Sequence, residues 1–286
     1  MSAKILEGGP IADQISADLE QQIADLGGAP PRLVALMVGD NAGARAYAKM
    51  QAKACGEVGI EYELRELGEE TTQEELRAAI EAANADDSVN GIILQMPVPE
   101  QIEGQQMQAA IDPAKDVDGV HPTNLGYLAE GNPRLTPCTA EAAVRLVEES
   151  GVEVSGAEVV VVGRSVIVGK PTALMLLDRG ATVTICRSTT RDLPFHTSRA
   201  DILVAAVGRA ELIKGDEVKP GALVVDVGMN RVKDPDTGKS KYVGDVAFDE
   251  AKEVAGIITP VPGGVGPLTV TMLLKNTVEA TRLQRA

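Results

Sequence analysis

The 286-residue chain contains no tryptophan, two phenylalanines, four tyrosines, two histidines and three cysteines. So few aromatic rings argue against a stacking platform for single-stranded nucleic acid. His121 and His196 stand alone, and Cys55, Cys138 and Cys186 have no paired spacing, so neither a metal site nor a Cys/His catalytic pair is expected. Basic residues are also scarce: 27 Lys and Arg against 42 Asp and Glu leave a formal charge of −15. That balance disfavours nucleic acid or an anionic membrane as a partner, and an anionic ligand must be held by locally placed cations. No run reaches membrane-spanning length, and the first ten residues lack the apolar core of a signal segment. The expected setting is soluble, reducing and cytoplasmic.

The most informative stretch present runs from Val159 to Pro171. Four consecutive valines suit a strand covered on both faces, as in a parallel sheet. Gly163 ends that strand, Gly169 lets backbone and helix approach, and Pro171 suits the first turn of a helix over residues 172–178 that Gly180 closes. Orphan amides at such a helix start favour an anionic group. A P-loop is excluded, because five residues separate Gly163 from Gly169 and proline follows Lys170. The generic dinucleotide fingerprint is met only in part, and a βα turn without a ligand stays open beside it. The next strand, residues 181–186, ends in Arg187-Ser188. An acid there would hold the ribose hydroxyl of NAD, whereas a cation suits the 2′-phosphate of NADP. Arg164, Arg187 and Ser188 are therefore candidate phosphate ligands.

Strand-like and helix-like patterns alternate along the chain, which is the α/β signature. Helices are expected over 11–26, 42–58, 73–84, 140–149 and 269–283. Strands are expected over 32–38, 61–66, 91–95, 158–162, 181–186, 202–207, 222–227 and 256–259. Asp234-Pro-Asp-Thr-Gly238 reads as a surface turn.

Several segments, in this order, resemble the methylenetetrahydrofolate dehydrogenase/cyclohydrolase family: Gly39-Asp-Asn41, Tyr47, Gln95-Met-Pro-Val-Pro99, Lys115-Asp-Val-Asp-Gly119, Pro137-Cys-Thr139, the Gly163 loop, Asp226-Val-Gly-Met-Asn230, Gly244-Asp-Val246 and Thr259 to Pro267. The resemblance covers essentially the whole chain. It implies two α/β domains, with a folate-side domain of residues 1–136 completed by the C-terminal helix over 268–286. Residues 137–267 would form a Rossmann-like NADP domain with a parallel sheet, the reduced folate binding where the domains meet. It further implies a homodimer and oxidation of 5,10-methylenetetrahydrofolate by NADP. Among the site residues so implied, Asp118 pairs with the pterin's amino edge, Tyr47 lies against the ligand's rings, and Gln95 belongs to the same site. Pro262, Gly263 and Gly264 form a wall beside the pterin and nicotinamide. Gly163, Arg164, Ser165, Ser188 and Met229 contact the cofactor. By themselves Asp118 could cap a turn, Tyr47 could be a half-buried helix residue, and the proline-glycine loop could be a plain turn.

The chain departs from the family in the second activity, which opens the methenyl bridge with a lysine four residues after the tyrosine. That position is Gln51, and the serine three residues before the tyrosine is Ala44. At about 100° per residue, Gln51 lies about 40° from Tyr47, Lys49 about 160° and Lys53 about 120°, so neither lysine substitutes for it. A glutamine amide cannot move protons as a lysine can. The chain is therefore expected to keep the dehydrogenase step and to have lost or strongly reduced the cyclohydrolase step. A bifunctional enzyme in which another group replaces the lysine, an idle NADP- or folate-binding protein, and an NADP dehydrogenase for a small hydroxy or keto acid are the alternatives. Gln51→Lys should restore ring opening by about 10²–10⁴-fold, the usual worth of a general acid–base group, read as decay of the methenyl absorbance above its spontaneous rate.

Overall fold

The structure, a computed structural model, describes residues 2–233 and 238–285. The turn expected at Asp234–Gly238 lies, but for its last residue, outside the described residues. The chain divides into two compact units, residues 13–138 with 270–286, and residues 139–269 with 1–12. The first twelve residues, expected on the folate side, thus join the other unit. The reason is a two-residue strand, β1 (Lys4–Ile5), which pairs with a strand near residue 257. Helix α1 (Gly9–Leu26) follows it.

The unit of residues 13–138 is built on three parallel strands, β2 (Arg32–Val38), β3 (Glu61–Leu67) and β4 (Gly91–Leu94), with β2 in the middle. From Leu33 onward β2 is buried at every position, as a central strand covered on both faces must be. Helix α2 (Ala42–Val58) is capped by Asn41, whose side chain accepts from the Ala44 amide, and it stops at Gly59 in the left-handed region. Helix α3 (Gln73–Ala85) opens on a reciprocal capping box between Thr72 and Glu75. Two short helices, α4 (Gly104–Gln108) and α5 (Pro122–Ala129), complete the expected loops.

Lys115 is buried and acts as a staple. Its Nζ donates to the carbonyls of Asn84 and Asp86 at 2.8 Å each, at the C-terminal end of α3, where the helix dipole favours a cation. The loop carrying Asp116 and Asp118 is thereby tied to α3.

The other unit starts with α6 (Cys138–Glu149) and contains β5 (Glu158–Val162), α7 (Gly169–Asp178), β6 (Thr182–Cys186), α8 (Leu193–Thr197), β7 (Ile202–Ala205) and β8 (Leu223–Asp226). A small antiparallel ribbon of β9 (Asn230–Lys233) and β10 (Ser240–Val243), the one-turn α9 (Phe248–Ala251) and β11 (Ile257–Ile258) follow. Six strands form one parallel sheet in the order β1-β11-β8-β7-β5-β6. The strand order reverses at β5, with β6 on one side and β7 on the other, and ligands of such sheets bind beyond the carboxyl ends at that point.

The last helix, α10 (Val265–Arg285), begins four residues before its expected start, inside the proline-glycine loop. Pro267 is its third residue, a first-turn position where a missing N–H costs nothing. From α10, Asn276 Nδ2 donates to the carbonyls of Val117 and Thr136 at 2.9 and 2.8 Å, fixing the other flank of the Asp118 loop. No helix of the described residues is long and apolar enough to cross a membrane. Lys115→Met should lower the stability by about 2 kcal/mol, the worth of charge-assisted bonds to buried carbonyls, measured as a shift in the urea midpoint without loss of cooperativity.

Candidate active site

Beyond the carboxyl ends of the large sheet, the register aligns four strand termini. Cys186 pairs with Val162, Val162 with Ala205, and Ala205 with Asp226. The residues singled out for a dinucleotide follow these ends directly: Arg187 and Ser188 after β6, Gly163 to Ser165 after β5, and Met229 three residues after β8. A Cβ on Gly163 would lie 2.4 Å from the Ala206 carbonyl oxygen, and one on Gly169 would lie 2.2 Å from that of Gly163. Glycine at both places lets strand end, loop and helix start close onto one another.

One expectation needs correcting here. Helix α7 begins at Gly169 rather than Thr172, and its first amides are not orphans. Ser165 Oγ accepts from Val168 and Gly169, and the Ser165 carbonyl accepts from Lys170. The amides of residues 164–167 have no backbone acceptor among the described residues. An anion at this turn would thus meet loop N–H groups before the helix. Arg164, Ser165 and Arg187 are exposed and Ser188 half-buried. Arg187 holds its own turn, with Nε on Thr189 Oγ1 at 2.5 Å and its amide on Thr190 Oγ1 at 2.9 Å. Met229 is 67% exposed at the tip of its turn. A close backbone cradle with exposed arginines on neighbouring strand ends fits a phosphorylated dinucleotide.

Sequence reasoning quoted Asp226 and Asp245 only within segments that carry the resemblance and gave them no role, yet they fix these loops. Asp226 and Asp245 are buried, and no Lys or Arg nitrogen reaches either among the described residues. Asp226 accepts from the amides of Gly228, Asp245 and Val246 at 2.8–3.0 Å. Asp245 accepts from the amides of Val207, Gly208 and Arg209 at 2.6–3.0 Å, and from Asn230 Nδ2 at 2.9 Å. Burial pushes the Asp226 carboxyl up to about 7, against the pull of these amides. The glycines at 228 and 244 leave the room: a Cβ on Gly244 would overlap Asp226 Oδ2. Pro262, Gly263 and Gly264 belong to the same unit. The Val261–Pro262 peptide is cis, and the Gly263 carbonyl accepts from the Gly8 amide at 2.9 Å.

In the unit of residues 13–138, Tyr47, Gln51 and Gln95 come together. Tyr47 and Gln51 stand one turn apart on α2, and Gln95 follows β4. Gln51 is fully buried, whereas Lys49 and Lys53 are exposed, as the helical phase requires. Gln51 Oε1 accepts from Gln95 Nε2 at 2.6 Å and from the Tyr62 hydroxyl at 3.0 Å. Its Nε2 is buried without a hydrogen-bond partner. Burial pushes the Tyr47 phenol up, with Cys138 and Asp118 adding to the shift. The Gln51 amide opposes that shift by its nearness, although its geometry makes no hydrogen bond to Tyr47. Tyr47 is therefore a neutral phenol at ordinary pH.

Asp118 sits in the loop that Lys115 and Asn276 hold from either side. Gly119 takes φ +73° and has no room for a Cβ, which would lie 2.2 Å from the Thr136 carbonyl carbon. Half-buried, with no donor on its oxygens among the described residues, Asp118 has its carboxyl pushed up to about 7, chiefly by burial and then by the neighbouring Asp116. Asp116 is buried and accepts on Oδ2 from His121 N and Asn124 Nδ2. Among the described residues, the donors in this loop go to Asp116 and none to the Asp118 carboxyl. Cys138, His121 and His196, assigned no chemistry, have packing or capping contacts: Cys138 Sγ donates to the Val117 carbonyl, His121 caps α5, and His196 lies edge-on to Phe195.

Comparison with known proteins finds two family models along the chain. Residues 6–118 match the family model for the tetrahydrofolate dehydrogenase/cyclohydrolase catalytic domain, and residues 137–285 match that for its NAD(P)-binding domain. The chain is 48% identical over 286 residues to the bifunctional protein FolD of Acetivibrio thermocellus, covering 99% of each. It is 50% identical over 283 residues to FolD 2 of Geobacter sulfurreducens, covering 98% of each. Among solved structures, it is similar to the methylenetetrahydrofolate dehydrogenase/cyclohydrolase FolD of Campylobacter jejuni, with TM-score 0.93, 41% identity and 99% of each chain covered. The Trypanosoma brucei enzyme, crystallised with NADP cofactor and an inhibitor, matches with TM-score 0.94 and 38% identity over all of both chains.

The raised Asp118 carboxyl has a consequence for stability. A carboxyl held at about 7 when folded, against 3.8 ordinarily, favours the folded state fully at low pH and loses that contribution as pH rises through 7. Asp118→Asn removes the loss. The variant should match the parent near pH 4 and exceed it at pH 8 by on the order of 1–2 kcal/mol after allowing for solvent access, as measured by urea unfolding at both pH values.

Proposed function

The chain belongs to the tetrahydrofolate dehydrogenase/cyclohydrolase family, and on that footing we propose that it oxidises 5,10-methylenetetrahydrofolate with NADP to 5,10-methenyltetrahydrofolate, while its cyclohydrolase step is lost or strongly reduced. The observation that carries the second half is Gln51. It stands buried where the family pattern has lysine, its amide oxygen is taken up by Gln95 and Tyr62, and the nearby lysines on α2 are exposed on other faces.

When bound, NADP supplies the hydride acceptor. Gly163, Arg164, Ser165, Arg187, Ser188 and Met229 would hold it, the arginines against phosphate and Met229 against an apolar ring face. Hydride leaves the bridging carbon as two electrons with one proton, driven by the amine nitrogens on either side, and the carbon becomes part of an amidinium cation. No proton changes hands in that step, so the protein's task is positioning, which can supply roughly 7–11 kcal/mol in favourable cases. Ionised Asp118 accepts from the pterin's amino and ring N–H edge, the donor its oxygens lack. Tyr47 offers a ring face, and Pro262, Gly263 and Gly264 a stiff boundary with close backbone approach. Ring opening is a different demand. Water must lose a proton on attacking the cation and the departing nitrogen must gain one, and neutral Tyr47, Gln51 and Gln95 have no group that cycles protons near neutrality.

The test follows methenyl absorbance with purified protein. Methylenetetrahydrofolate and NADP should give accumulating methenyl, and methenyltetrahydrofolate alone should decay at the rate seen without protein. Enzyme-dependent decay would remove the second half of the proposal, and absence of oxidation would remove the first.

A further inference from the structure

We propose that Tyr62 is a positioning residue of the folate site, which fixes the Gln51 amide so that it presents donors alone to an acceptor atom shared by the substrate and product of the oxidation. The inference rests on the folate-oxidising reading above.

The argument begins with the lone pairs of one oxygen. Gln51 Oε1 has two, and Gln95 Nε2 at 2.6 Å and the Tyr62 hydroxyl at 3.0 Å use both. Turning the amide over would set Gln51 Nε2 against Gln95 Nε2, two donors face to face. Tyr62 comes from β3, half-buried, and burial pushes its phenol up, so it keeps the proton it donates. The remaining capacity of Gln51 is its NH₂ group, buried and without a hydrogen-bond partner. Leaving such a donor unmet costs free energy, and a ligand that meets it recovers that cost.

A donor-only group selects its partner by chemistry. The bridge nitrogens of the methylene substrate carry lone pairs, but a hydrogen bond to them would withdraw the electrons that expel hydride. In the methenyl product those lone pairs are delocalised into the amidinium and accept nothing. A ring carbonyl oxygen is present in both states and is strengthened as an acceptor by neither change. A contact to that carbonyl binds substrate and product alike, which leaves the oxidation unhindered.

The test is a double-mutant cycle with Tyr62→Phe and Gln51→Ala, read in three ways: KM for methylenetetrahydrofolate, KM for NADP, and the Kd for methenyltetrahydrofolate measured by absorbance titration without cofactor. Tyr62→Phe should raise the methylene KM and the methenyl Kd by the same factor, about 5- to 10-fold for one buried hydrogen bond, with NADP KM unchanged. In the Gln51→Ala background the same change should have no further effect. An equal loss in both backgrounds, or an unchanged folate KM and Kd, would overturn the positioning role. A loss confined to the methylene substrate would overturn the carbonyl assignment. Gln51→Met, which keeps the volume and removes the amide, must give the same parallel loss and serves if Tyr62→Phe does not fold. Because the methenyl titration needs no turnover, it decides the inference even where the oxidation itself is not observed.

Discussion

Asp226 and Asp245 lie buried in one unit with no Lys or Arg nitrogen on either among the described residues, and the loops beyond three strands depend on how their oxygens are satisfied. Asp226 gathers the turn after β8 and the chain leading out of β10, while Asp245 gathers the loop after β7. Seven hydrogen bonds from six backbone amides and one side chain converge on the two carboxylates, so removing either would leave several buried donors unmet at once. The loop after β7 is also the one whose Ala206 carbonyl touches Gly163. The loop packed against the cradle proposed for NADP is therefore held by an acid, and neither Arg164 nor Arg187 forms an ion pair among the described residues. In a chain of net charge −15 this division of labour matters, because cations spent on internal pairs would be missing at the ligand.

The same device recurs around the folate side with a different outcome. Asp116 accepts on one oxygen from His121 and Asn124 while its other oxygen is buried without a partner, whereas Asp118, two residues on, meets no donor among the described residues. One carboxylate is tied into the loop, and the next is the one proposed to meet the pterin. The neighbouring group of Gln51, Gln95 and Tyr62 is neutral, and the two N–H donors of the Gln51 amide have no hydrogen-bond partner among the described residues. At position 51 a glutamine stands where the family pattern has a lysine, and an amide has no proton to exchange near neutrality; the proposed loss of ring opening rests on that difference.

Much of this was legible from residue patterns. The valines at 159–162, the helix over 42–58 and the fully apolar run from Leu33 to Val38 each carry their element in local chemistry, and their bounds agree closely with the observed ones. The identity of position 51 was legible too, since helical phase alone separates it from Lys49 and Lys53. Its partners were not. Tyr62 sits on a strand whose register against β2 is set by the folded sheet, and no spacing in the sequence links it to Gln51. Short elements such as β1, α8 and the β9–β10 ribbon have too few residues for a period to show. The early start of α10 was hidden because Val265-Gly-Pro267 reads as a turn until the helix behind it is seen. Lys115 was given no role beyond its place in the segment that carries the resemblance, and it is a helix staple, a role that depends on where α3 ends.

The pairing of β1 with β11 bears on how the molecule folds. Lys4 and Ile5 find their partners Ile257 and Ile258 far along the chain, and Asn276 pins an Asp118 loop from which it is also distant in sequence. Each unit is thus assembled from two separated segments, and the contacts that close it must overcome the entropy of a long intervening loop before they reward it. Local elements such as α2 and α3 can form early, whereas the strand and helix that complete each unit depend on the slow meeting of remote segments.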